Sequence, residues 1–189
     1  IRVESLLALA TYKGDLDYAT NFSGKKIGLN PNIFETEIHS GAYRGTILIE
    51  LDRIGREHEV VEEKEGNKVV SRSLRVKELV ENQVKANRVL AFLDALQMLW
   101  SSGRQSRFLA DISPKFVAAA MMKSKNPIFL EAVRLKEDGQ IDLEALLTVT
   151  SDYERFIDKH LFATQAAVFD QQEGMVSLKD GFSSIRSWV

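Results

Sequence analysis

Residues 74–111, LRVKELVENQVKANRVLAFLDALQMLWSSGRQSRFLAD, decide how the chain reads, because they join its longest helical pattern to a loop rich in anion-gripping side chains. Leu74, Leu79, Val84, Val89, Leu90, Leu93, Leu96 and Trp100 recur at spacings of three to five. That predicts one long amphipathic helix whose apolar face docks on a sheet. Ser101-Ser102-Gly103 is the expected stop, since glycine reaches the left-handed conformation of a helix C-cap at little cost. Arg104, Gln105, Ser106 and Arg107 then precede Phe108 and Leu109, which are expected to re-enter the core. Guanidinium forks and hydroxyls suit phosphate oxygens, so the loop reads either as a solvated turn or as an anion site.

Upstream, Glu35 to Asp52 reads as a strand, with Tyr43, Gly45, Ile47, Ile49 and Leu51 on one face and Arg44, Thr46, Leu48, Glu50 and Asp52 on the other. Within its start, Glu37-Ile38-His39-Ser40-Gly41 sets polar groups beside a glycine that can bend the chain. His39 reads as a structural residue, a general base or an RNA contact. Leu16 to Glu35 is turn-rich around Ser23-Gly24-Lys25-Lys26, which predicts a projecting β-hairpin or loop, either solvated or reaching a ligand or neighbouring subunit. Residues 1–12 read as a short element ending in a turn at Lys13-Gly14-Asp15. The alternation is already under way at Ile1, so a leading portion is expected to be missing. Between the strand and the helix, residues 55–73 are charge-dense, and two Val-Val pairs around Glu65-Gly66-Asn67 read as a surface hairpin or a mobile linker.

Downstream, Pro114 and Pro127 bracket the apolar run Phe116 to Met122, expected as a buried strand. A helix is expected from an Asp142 N-cap over Leu143, Leu146 and Leu147. A second is expected from Ser151 or Asp152, with Tyr153, Phe156, Ile157, His160 and Leu161 on one stripe and His160 as a buried, hydrogen-bonded residue. The outline is an α+β plan with an antiparallel sheet covered on one side.

Composition narrows the chemistry. Hydrophobic residues at 44% and charged residues at 28% describe a globular chain of 189 residues. No apolar run reaches membrane-span length and no signal-peptide pattern is present, so the expectation is cytoplasmic and without a membrane. Without cysteine, and with three scattered histidines, the chain offers no disulfide framework, thiol nucleophile or zinc-type cluster, and neither a metal nor a cofactor is expected. A net charge of −2 confines any RNA contact to a local patch. Phosphate-binding glycine loops, dinucleotide fingerprints and nucleophile elbows are missing from the sequence, which ranks binding above catalysis.

Gly103-Arg104-Gln105-Ser106-Arg107-Phe108-Leu109, arriving off a helix and followed by a strand, resembles the glycine-loop signature of DevR-type CRISPR-associated proteins, the repeating backbone subunit of type I Cascade complexes. Asn32 to Tyr43, leading into Ile49-Glu50-Leu51-Asp52-Arg53-Ile54-Gly55, matches a second signature, and Ile1 to Asp15 more loosely resembles a family strand. The resemblance covers most of residues 1–125. It implies a single, incomplete domain over 1–189: a modified RNA-recognition-motif (ferredoxin-like) palm with a thumb hairpin at about 13–35 and a charged loop at 55–73. The family's opening strand, first helix and finger region have no counterpart here.

The resemblance further implies copies polymerising head to tail along a CRISPR RNA, with target DNA and other Cascade subunits as partners and no catalysis of their own. RNA-binding residues would be Lys25, Lys26, His39, Gly103, Arg104, Gln105, Ser106 and Arg107, with Phe22 or Ile27 as a thumb wedge that displaces a base. The alternative function is an RNA-processing endoribonuclease of related fold using His39 with Glu37 or Tyr43. A third reading is an interaction module that binds no nucleic acid.

Overall fold

Antiparallel pairing folds the N-terminal part of the chain back on itself. The computed structural model describes residues 1–21, 32–100 and 111–189. Strands β1 (Arg2–Val3), β2 (Leu7–Ala8) and β3 (Gly14–Asn21) pair in reverse order with β4 (Asn32–His39), β5 (Tyr43–Arg44) and β6 (Ile47–Leu48). The register runs Arg2↔Leu48, Leu7↔Arg44, Gly14↔His39 and Asn21↔Asn32. Glu4, Ser5 and Leu6 therefore oppose only Gly45 and Thr46, and residues 9–13 oppose only residues 40–42. Surplus residues on one strand bend a ribbon and tighten its twist. Leu6 folds over Gly45 at the first irregularity, where a Cβ would lie 2.8 Å from its side chain.

This arrangement corrects two expectations. Glu35 to Asp52 is not one strand: β4 stops at His39, Gly41 and Gly45 fall in the breaks, and residues Leu51–Arg53 form a single 3-10 turn. Alternation survives across such breaks, which is why it reads as continuous. Gly14 and Asp15 are paired strand residues, not the turn expected there; the chain bends earlier, at Leu9 and Ala10.

β7 (Arg56–Glu65) and β8 (Lys68–Glu78) form a second ribbon, closed by Gly66-Asn67 with Gly66 at φ +60° in the left-handed region. The stretch left open between hairpin and linker is thus a hairpin, longer than the two valine pairs imply. Facing residues share a side, so His58, Val60, Leu74 and Val76 line one face and the pairs Glu57–Lys77 and Glu59–Arg75 the other. Leu74 consequently belongs to a strand. The helix, α1 (Asn82–Gln97), begins eight residues later than the periodicity predicts, because β7 captures residues 68–78 by pairing. Its buried positions are Val89 and Leu93 alone, and Trp100 beyond it is exposed.

The core lies in the C-terminal part. β9 (Phe116–Met122) is the strand expected between the prolines, though half-buried along its length and not buried as expected. α2 (Leu143–Asp152) starts as expected: Asp142 accepts a hydrogen bond from the Ala145 N–H at 3.2 Å. β10 (Ile157–Thr164), β11 (Met175–Ser177) and α3 (Leu178–Ser187) complete the chain. The second expected helix is therefore a 3-10 turn, Glu154–Phe156, followed by β10, whose pairing with β9 overrides the helical stripe. His160 is exposed on that strand, its ring 5.7 Å from Phe162, and is not the buried residue expected.

The sheet order is β11-β10-β9, with β10 antiparallel to β9 and parallel to β11. Successive residues of β10 point to opposite faces. Phe162 enters a cluster with Phe129, Ile141, Leu143, Leu146 and Met175, whereas Ala163 meets Gly181 of α3. Both faces of this sheet are covered, where covering on one side was expected.

Candidate nucleic-acid interface

Two anchored stems flank residues 101–110. On the incoming side, Arg186 of α3 donates to Asp94 at 2.9 Å and to Gln97 at 2.9 Å, clamping the last turns of α1. On the outgoing side, Asp111 accepts from the backbone N–H of Ser113 at 2.9 Å and its hydroxyl at 2.6 Å, and also pairs with Lys115. Lys115 first, then Ser113, hold the Asp111 carboxyl below the usual carboxylate range. Lys115 in turn accepts from the Gln165 N–H through its carbonyl at 2.9 Å, tying this stem to the sheet. Gly103, Arg104, Gln105, Ser106 and Arg107 lie outside the described residues, as do Lys25, Lys26, Phe22 and Ile27.

His39 is placed. It ends β4 opposite Gly14, exposed, with its ring 5.7 Å from Tyr12 and 5.9 Å from Tyr43. Tyr12, which the sequence reading did not single out, lies across Gly14 and donates its hydroxyl to Glu37. That bond pushes the phenol up to about 12. A hydroxyl so held stays protonated far above neutral pH and is badly matched to proton transfer there. On the ribbon face that His39 shares, Glu37 and Glu35 follow it along β4, while Asp15 and Asp17 lie on the other face. A phosphate backbone laid along these strands would meet like charge.

A second group missed in sequence surrounds Glu50, 9% exposed at the foot of the first ribbon. Arg2 reaches it at 2.8 Å, Arg53 at 3.3 Å and Lys125 at 3.7 Å, while Lys125 also pairs with Asp52 at 3.1 Å. Burial pushes the Glu50 carboxyl up, but Arg2, Arg53 and Lys125 together outweigh it and hold the group below its ordinary value. Nearby, Arg44 of β5 donates to the carbonyls of Glu131 at 3.2 Å and Val133 at 3.1 Å. These contacts fasten the ribbon to the segment after β9. Of them only the Glu50–Arg53 spacing was visible beforehand, inside a signature already quoted for its resemblance.

Among the described residues, paired two-stranded ribbons, a three-stranded sheet and three helices define an α+β protein. Residues 15–143 match the sequence profile of the CRISPR-associated negative auto-regulator DevR/Csa2 family. The match takes in more than half of the 189 residues, and the chain belongs to that family and is a CRISPR-associated protein. No curated protein matches it. Among the described residues, no helix is long and apolar enough to cross a membrane.

Proposed function

We propose that the chain is an RNA-binding backbone subunit of a type I CRISPR effector complex in antiviral defence, polymerising along the guide with other subunits and supporting its pairing with target DNA. The family match over residues 15–143 carries this reading, since it spans both Lys25-Lys26 and Gly103 to Arg107. In this account β9, β10 and β11 with their helices are the palm, and the β3–β4 ribbon is the thumb. Packing on both faces at Phe162 and Ala163 covers that end of the sheet, and RNA contact is assigned to loops. Arg104, Gln105, Ser106 and Arg107 grip phosphates, and Lys25 and Lys26 add charge at the thumb's tip, where Phe22 or Ile27 wedges between bases.

Exposed apolar side chains support assembly. Tyr18 is 62% exposed and Ile33 72% on one ribbon, and Val60 60% and Leu74 64% on the other. Each pair lies on a ribbon face that a neighbour can cover. The open setting of His39, without the enclosure that tunes an acid–base pair, supports scaffolding in place of catalysis. The test is purification of the assembled complex: ultraviolet absorbance in excess of protein, lost on RNase treatment, is expected. Deleting residues 22–27 should preserve folding while shortening assemblies or impairing target pairing. Repeat RNA cut by the wild type and spared by His39→Ala would overturn the non-enzymatic part. Assemblies free of nucleic acid would overturn the whole.

A further inference from the structure

The β7–β8 ribbon carries a charge pattern that neither the palm nor the thumb uses. Both strands are exposed throughout, except for the half-buried Val61, and among the described residues no other strand pairs with either. On the face that holds His58, Val60, Leu74 and Val76, an ion pair closes the apolar centre at each end. Nearest the body, Arg56 on β7 meets Glu78 on β8 at 2.6 Å. Toward the turn, Glu62 on β7 meets Arg72 on β8 at 2.9 Å. The order of sign is reversed between the two ends: β7 runs from positive to negative and β8 from negative to positive. A lysine joins each glutamate, Lys85 at Glu78 and Lys64 at Glu62.

Such a face complements itself. Turned about an axis that crosses the strands and laid on a second copy, it brings Arg56 over Glu62 of that copy and Glu78 over its Arg72. Between them Val60 meets His58 and Leu74 meets Val76, and the reverse contacts follow by symmetry, as an isologous interface requires. Edge pairing has no such match, because two β8 strands side by side would set Arg72, Arg75 and Lys77 against their own kind. The ten residues of β7 carry the turn roughly 30 Å from the body, so in the reversed arrangement each body lies beyond the other's turn. We infer that this face docks a second copy of the chain, ribbon on ribbon and antiparallel, as a closed two-fold contact. It differs from the open head-to-tail contact of a filament and goes beyond the backbone reading. The face is small beside the roughly 800 Å² a side of a standard interface, so the pairing is weak and is read at high protein concentration.

The experiment uses the full chain at high concentration, with a tagged copy capturing an untagged one before and after RNase treatment. Glu62→Arg with Arg72→Glu keeps an ion pair within the ribbon but sets like charges across the two-fold. It should weaken RNase-resistant self-capture on the order of tenfold. Arg56→Glu with Glu78→Arg should do the same at the other end. Mixed together, these two exchanged proteins present opposite charges at both ends and should capture each other as the wild type captures itself. Leu74→Ser, which leaves every charge in place, should weaken self-capture several-fold. Thermal melting monitors the fold. RNase-resistant capture that survives both exchanges overturns the pairing, as do exchanged proteins of wild-type melting that fail to capture each other. Loss of another subunit of the complex under these exchanges, with self-capture intact, overturns it by giving the face to that subunit. Wild-type capture that depends wholly on RNA overturns the pairing and leaves the backbone reading standing. Wild type that captures no copy, with RNA or without, overturns both.

Discussion

Gly181→Ala sets two effects of similar size against each other. Gly181 lies within α3, where alanine is the better helix former by about 1 kcal/mol. Local propensity therefore predicts a gain. Against it, a Cβ built on Gly181 falls 2.3 Å from the Cβ of Ala163, with the Leu161 side chain at 3.6 Å and the Ala163 backbone at 3.8 Å. Ala163 is fully buried at the centre of the sheet and has no flexible end to swing aside, so helix and strand must separate. Overpacking of a tight core costs roughly 1–3 kcal/mol, and a contact more than an ångström too short on a rigid neighbour belongs in the upper half of that range. The net expectation is a loss of about 1 kcal/mol or more, with melting lowered by roughly 2–4 °C per kcal/mol for a chain of this size. Urea unfolding of the wild type, Gly181→Ala, Ala163→Gly and the double variant gives the coupling. A favourable coupling of about 1 kcal/mol or more is expected, because the second substitution removes the colliding methyl. Stabilisation by Gly181→Ala alone would refute the close approach of α3 to β10.

Leu146→Ala, at a position with no exposure in the main cluster, should cost about 2–5 kcal/mol in urea unfolding, whereas the half-exposed Leu147 next to it should cost far less. Asp142→Ala should cost about 1 kcal/mol through the lost N-cap. The Ala145 N–H first, and Arg134 after it, outweigh burial and hold the Asp142 carboxyl below its ordinary value. Its contribution is therefore present above the unfolded pKa of about 4 and fades as pH falls through the lower folded value. Stability measured from pH 5 downward should decline less steeply in the variant than in the wild type. Tyr12 should remain protonated at about pH 10.5, where ordinary tyrosines are mostly ionised. A carbon-13 ring signal reports this, and Glu37→Gln should abolish the difference.

Local chemistry was the legible part of the fold. Prolines at 114 and 127 bracket β9, Asp142 announces α2, and Gly66-Asn67 between valine-rich runs announces a hairpin, since each signal acts within a few residues. The failures are tertiary. Leu74 was assigned to a helix because its spacing fits one, while its partner Val60 lies across a turn. Ile157 to Leu161 show a helical stripe but are held as strand by residues 116–122. The hub at Glu50 needs Arg2 and Lys125, which no local pattern links to it. Tyr12 acquires meaning only when Gly14 and Glu37 are brought against it by pairing. Arg104 and Arg107 are legible as candidates from residue type alone, since guanidinium suits phosphate oxygens.

The most direct measurement is the salt dependence of guide RNA binding by the wild type and by Arg104→Ala combined with Arg107→Ala. Loss of two phosphate contacts should weaken binding about equally for guides of unrelated sequence and reduce the salt slope by roughly one or two. An unchanged slope, or a loss confined to particular guide sequences, would contradict the claim that this loop holds the RNA by its backbone.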